Sequence, residues 1–190
     1  MPRKLRELVA EGVYHVYARG NDRCRIFRDD ADYRRYLQLI ERVVRQRRWS
    51  ALAYCLMPNH VHWLVRTPEP DLDAGVQFVH SQYALVFNKR HGRVGHLFGG
   101  RYGAKRVTTD EQLRVNAAYI ARNPVSAGLC SEPEAWRWGS HADTARGTPA
   151  PWMDDPALMA YFAGAGGDPR HRYATFVGDY RPATSGSRSA

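Results

Sequence analysis

The chain has 190 residues, 44 % of them hydrophobic and 12 % aromatic, enough to bury a core and to exclude a disordered polymer. Lys plus Arg number 28 against 19 Asp plus Glu, a net charge of +9 that points to a polyanionic partner, nucleic acid ahead of an anionic membrane surface. Cys24, Cys55 and Cys130 stand far apart with no CxxC pair, which argues against a disulfide framework or a zinc knuckle.

No stretch approaches the roughly 20 apolar residues of a membrane span. The basic start, "MPRKLRELVAEG", lacks an apolar signal core, so a cytoplasmic protein is expected. From Gly12 to Gly20, "GVYHVYARG" alternates and is rich in Val and Tyr, the mark of a strand. A helix follows, capped by Asp29 or Asp30, with Tyr33, Tyr36, Leu37, Ile40, Val43 and Val44 as its apolar stripe. Its other face carries Arg34, Arg35, Arg42, Arg45, Arg47 and Arg48 and reads as solvated.

"SALAYCLM" and "HVHWLVRT" are two strand-like runs split by Pro58-Asn59, an antiparallel hairpin. A second helix is predicted over about Leu72 to Arg90, again capped by Asp and ended at His91-Gly92. After a Gly-rich basic loop comes a short strand near Ala104 to Thr108. A third helix opens at Thr109 or Asp110 and is expected to stop before Pro124. Beyond Gly128 the chain is rich in Trp, Pro and Gly, with one short helix predicted near Asp155 to Ala163. The fold class is therefore α+β: a ferredoxin-like β-α-β-β-α-β antiparallel sheet with an added helix and a C-terminal extension. We divide the chain into a catalytic unit at 1–140, an extension packed on it at 141–180, and a disordered tail at 181–190.

Alternation in the second hairpin strand carries the chemistry. Val61, Trp63 and Val65 share one face, and His60 and His62 share the other with Leu64. One face serves a core while two imidazoles project together, near enough to hold one cation. Two imidazoles on one strand face serve structural roles as often as ligation, and they make an incomplete metal site. On the third helix, Tyr119 and Asn123 lie four apart, next to the stripe of Leu113, Ala117 and Ile120. Spacing alone reads them as a core-rim aromatic and a helix C-terminal cap.

The ordered motifs "ARGND", "IFRDDADYRRYL", "LMPNHVHWLV", "FGGRY" and "YIARNPVSAGL" together resemble the REP-associated tyrosine transposases, a branch of the HUH single-strand nucleases. The likeness runs from about Val13 to about Ser140. It implies that His60 and His62 are the HUH pair, Tyr119 the catalytic tyrosine, and Asn123 the residue completing a site for Mg2+ or Mn2+. The implied activity is cleavage and rejoining of hairpin-bearing single-stranded DNA through a 5′-phosphotyrosine, by a monomer. The chain departs from the family pattern at Phe98-Gly99-Gly100-Arg101, where Trp-Glu-Gly-Arg is expected, and at Ser126, where Arg is expected. Both positions bear on the DNA sequence recognised and spare the four core residues.

Arg101, Lys105 and Arg106, near the fourth strand, are candidate phosphate contacts. Arg19 and Asn21 are expected beside the site, and Tyr102 or Trp63 are candidates to stack on bases. For any single Arg, a solvated surface charge is an equally good reading. Two further readings are a non-catalytic binder of DNA hairpins and a ferredoxin-like RNA-binding module. No RNP-type aromatic signature supports the last.

Overall fold

The computed structural model of the chain describes residues 8–164 and 166–181. The predicted order appears: β1 (Gly12–Arg19), α1 (Asp30–Arg47), β2 (Ser50–Met57), β3 (His60–Thr67), α2 (Leu72–His91), β4 (Gly103–Val107) and α3 (Asp110–Ser126). Three more helices follow, α4 (His141–Arg146), α5 (Asp155–Ala160) and α6 (Pro169–Asp179). The sheet runs β2-β3-β1-β4 with every pair antiparallel, the strand order of the β-α-β-β-α-β plan. The tail at 182–190 lies outside the described residues.

Each face of the sheet has its own core. On one, Val16, Val61, Trp63 and Val65 pack against Tyr36, Ile40, Val76 and Tyr83 of α1 and α2. On the other, Leu52, Cys55 and Leu64 meet Leu113, Ala117 and Ile120 of α3, with Leu158, Tyr173 and Val177 closing the layer. The added helix therefore covers the face that the two earlier helices leave open. β3 is buried on both sides, so its alternation separates two cores instead of core from solvent.

Local signals explain most element ends. Asp29 caps α1 by accepting from the Ala31 and Asp32 N–H groups, and Thr109 caps α3 by accepting from Gln112. The β2–β3 turn is tied down: the Pro58 carbonyl accepts from Ile26 and Phe27, and the Asn59 carbonyl accepts from Gly20. Gly20 is required there, since a Cβ on it would lie 2.3 Å from the Cys24 carbonyl oxygen.

Four expectations need correction. Asp71 precedes α2 without capping it, because its carboxylate accepts from the Trp49 indole and the Arg47 guanidinium instead. Leu37 is only half-buried while Leu39 joins the core of α1. α3 continues through Pro124 to Ser126. Proline in the last turn forfeits one backbone donation, and the Ala127 N–H still closes onto the Asn123 carbonyl. The segment after Gly128 holds α4 and α6 as well as the predicted α5. Asp168 caps α6 and Pro169 opens it, with Tyr173 and Val177 buried one turn apart, a pattern readable but overlooked among Gly-rich neighbours.

Candidate active site

The antiparallel register sets Tyr17 opposite His62 and Arg19 opposite His60. His15, Tyr17 and Arg19 of β1 therefore share the sheet face that carries His60 and His62 of β3. α3 crosses this face and presents Asn116, Tyr119 and Asn123 from successive turns of one side. The result is a cleft of about 820 Å³ on the α3 side of the sheet, reached also by Lys105 and Tyr180.

The four residues singled out from sequence converge. The His60 and His62 rings have centroids 5.1 Å apart and stand perpendicular. Tyr119 lies 5.6 Å from His62, edge to face, and 38 % of its surface remains open to solvent. Asn123 lines the same cleft as His60, His62 and Tyr119 and is buried. It sits inside α3 and is not the helix cap that its place before Pro124 suggested.

The hydrogen bonds orient this donor set. The Asn123 Nδ2 donates to the Tyr119 carbonyl at 2.9 Å, which anchors the amide at the cleft. The Asn59 Nδ2 donates to the Arg23 carbonyl, so its Oδ1 accepts from His60 Nδ1–H at 2.7 Å. With Nδ1 as the donor, the neutral His60 ring carries its lone pair on Nε2. A bare imidazole nitrogen and an amide oxygen lining one cleft are donors that a cation can use. Burial lowers the His60 pKa, aided by the Arg19 charge and opposed by the Asn123 bond. His62 is pushed well below the usual histidine range by burial first, then by His15, His60 and Arg19. Both rings are thus neutral at pH 7, the form that ligates metals. Among the described residues no cluster of three His, Cys, Asp or Glu side chains suits a metal, so a third side-chain ligand beside His60 and His62 would be of another kind, and the Asn123 amide lines the same cleft. Two imidazole nitrogens and one oxygen, in a cleft with open positions, fit a divalent ion.

The remaining expected residues divide. Arg19 and Lys105 line the cleft. Asn21 and Arg101 line a neighbouring hollow of about 870 Å³ between α2 and the loop before β4. Arg106 is exposed but pairs with Tyr14, whose side chain belongs to the α1/α2 core, so it points away from the cleft. The stacking expectations fail. Trp63 is 1 % exposed in the α1/α2 core, and Tyr102 is buried with its hydroxyl on Asp73. Tyr17, 38 % exposed and facing the cleft, is the aromatic available to a base instead. Tyr17 and His15 were both overlooked, although the alternation of "YHVYAR" places them beside Arg19.

Similar proteins bear on the family and the fold of the chain. A provisionally named REP-associated tyrosine transposase of Haemophilus influenzae is 25 % identical over 123 residues, 58 % of this chain and 70 % of that one. A solved structure of a REP-associated tyrosine transposase bound to a REP hairpin superposes with a TM-score of 0.66 at 22 % identity, covering 88 % of this chain and 94 % of that one; at this identity the likeness speaks for the fold. The model of the family described as "Transposase IS200 like" matches residues 9–123, a span holding β1 to β4, both cleft histidines, Tyr119 and Asn123. Over more than half its length, the chain belongs to the IS200-like transposase family.

Proposed function

We propose that this protein cleaves and rejoins hairpin-bearing single-stranded DNA in the cleft, with Tyr119 as nucleophile. The observation that carries the reading is the convergence of the partly open Tyr119 hydroxyl with two neutral imidazoles and an amide oxygen on one sheet face. A Mg2+ or Mn2+ ion held by His60, His62 and Asn123 would polarise the scissile phosphate. Tyr119 Oη forms a bond to phosphorus as the bond to the 3′ oxygen breaks; the phenol gives up its proton and the 3′ oxygen gains one. The phosphotyrosine retains the phosphodiester's energy, so the reverse attack by a 3′ hydroxyl rejoins strands without ATP.

Arg19 and Lys105 at the cleft would hold flanking phosphates, and Tyr17 would stack on an unpaired base. The relative bound to a REP hairpin supports a hairpin substrate, and we take the acting species to be a monomer. The test is incubation with hairpin-bearing single-stranded DNA and Mn2+ or Mg2+, followed by a denaturing gel. A covalent adduct is expected from the wild type. It should vanish in Tyr119→Phe, a drop of at least about 10³-fold. Hairpin binding with no adduct from the wild type would mark a non-catalytic binder instead.

A further inference from the structure

We propose that Tyr180, carried to the cleft by α6 and held there through Arg122, is a specificity-determining residue whose ring contacts an unpaired base of the bound strand. The substrate, a single strand, is taken from the proposed function; the placement of Tyr180 is independent of it.

The sheet supplies the floor of the cleft and α3 one wall, and among the described residues Tyr180 alone lines it from beyond Ala127. It lies outside the span 9–123 that matches the family, so it belongs to what this chain adds to the shared unit. α6 is fastened to the rest of the protein: Val177 and Tyr173 are buried in the core under α3, and the Tyr173 hydroxyl meets His141 Nδ1 at 3.0 Å. The last turn of α6 carries no cation of its own. Arg122 of α3 provides one, donating to the Val177 carbonyl at 3.3 Å and the Gly178 carbonyl at 3.1 Å. A helix end leaves such carbonyls without partners, and a guanidinium there also offsets the negative end of the helix dipole. Arg122 stands between Tyr119 and Asn123 in "YIARN", a motif residue that the chemistry of the cleft does not use. The turn of α3 that presents Tyr119 therefore also fixes the end of α6, just before Tyr180.

Tyr180 closes that helix: its N–H donates to the Phe176 carbonyl at 3.0 Å, and its own backbone is extended. Its ring packs against the α3 core, is half-buried, and lines the cleft. A ring already braced on the protein loses little freedom when a base stacks on it. Burial holds its pKa above the usual tyrosine value, so the phenol is neutral at pH 7 and repels no phosphate. The cations of the cleft, Arg19 and Lys105, come from the sheet. A nucleotide carries its phosphate and its base at opposite ends, and cations on the floor with a neutral ring on the extension accommodate both. Stacking strength differs between bases, so such a contact selects among nucleotides without entering the chemistry.

The test uses the full chain as Tyr119→Phe, which binds without cutting, and a DNA hairpin with unpaired thymidine flanks. In the flanks 5-iodouracil replaces each thymine in turn. Under light that base crosslinks to an aromatic ring stacked on it, and mass spectrometry identifies the ring. At least one flank position is expected to crosslink to Tyr180. In binding titrations Tyr180→Ala should weaken affinity roughly 5- to 100-fold, and Tyr180→Phe, which keeps the ring, should stay within about 2-fold of the parent. Arg122→Gln should reduce the crosslink at Tyr180 but not one at Tyr17, and should cost nothing further in a Tyr180→Ala background. Arg122→Lys, which still donates to the α6 carbonyls, should retain the crosslink. Crosslinks confined to other residues, or Tyr180→Ala binding as tightly as the parent, overturn the contact and leave the proposed function standing. A Tyr180 crosslink undiminished in Arg122→Gln overturns the part given to Arg122. No DNA binding by the parent chain removes the proposed function and this contact together.

Discussion

The two faces of β3 put the same residue chemistry to opposite uses. Toward α1 and α2, Trp63 is sealed between rings and the nearby His80 spends its Nε2 and a ring face on neighbours: its Nε2 meets the Tyr36 hydroxyl at 3.0 Å and its ring stacks on Phe98 at 4.3 Å. Toward α3, His60 and His62 keep one nitrogen each for the cleft, because asparagine and histidine neighbours occupy only the other. A buried imidazole is structural when both its ring face and its nitrogen are spent inside the core, and a candidate ligand when a lone pair is left over.

That contrast can be broken from either side. The largest expected effect is on the closed face: Trp63→Ala removes a fully buried indole and should cost about 3–5 kcal/mol, read from the urea midpoint. A loss under about 1 kcal/mol would mean that the face is not the main stabilising layer. His60→Ala does the reverse. It should lower Mn2+ affinity by more than the roughly 10–100-fold typical of an outer partner, while the metal-free unfolding midpoint stays close to wild type. A large loss of metal-free stability would place His60 with the structural histidines.

A pH scan sharpens the same distinction. Burial lowers the His80 pKa to about 3, whereas an unfolded histidine titrates near 6.5. Between these values the unfolded chain binds the extra proton, so stability falls as pH drops through that window. His80→Gln, which keeps a polar partner for Tyr36 but cannot titrate, should flatten the slope of stability against pH. An unchanged slope would show that His80 takes up its proton in the folded state. The smallest effect separates the two cations of β4. Lys105→Ala should weaken single-stranded DNA binding and reduce the salt dependence by about one phosphate contact, and Arg106→Ala should leave both unchanged. Equal effects from the two would mean that the DNA path runs over the edge of the sheet as well as through the cleft.

Much of this was legible before folding was considered. Period-two alternation is a property of local backbone geometry, so "HVHWLV" alone separated the imidazoles from Trp63, and a 3.6-residue period alone set Tyr119 beside Asn123. The caps at Asp29 and Thr109 and the turn at Pro58-Asn59 are equally local. The failed stacking and phosphate contacts share one cause: each needed a contact between residues far apart in the chain. Trp63 and Tyr102 look like stacking platforms until α1 and α2 close over them. Arg106 looks like a phosphate contact until its pairing with Tyr14 turns it away.

The chain by itself determined the strand and helix order as far as α3 and the two-sided character of β3, because short-range sterics and side-chain spacing decide those; Tyr119 and Asn123 were singled out by the resemblance of their motif and not by spacing. Only the tertiary structure decided that α3 lies across the face holding the histidines, that Asn123 is a buried helical residue and not a cap, and that His15 stands 2.8 Å from His62. The physical reason is that a register between β1 and β3, and a helix packed on a sheet, are settled by burial and hydrogen bonding summed over the whole core, which no local pattern encodes.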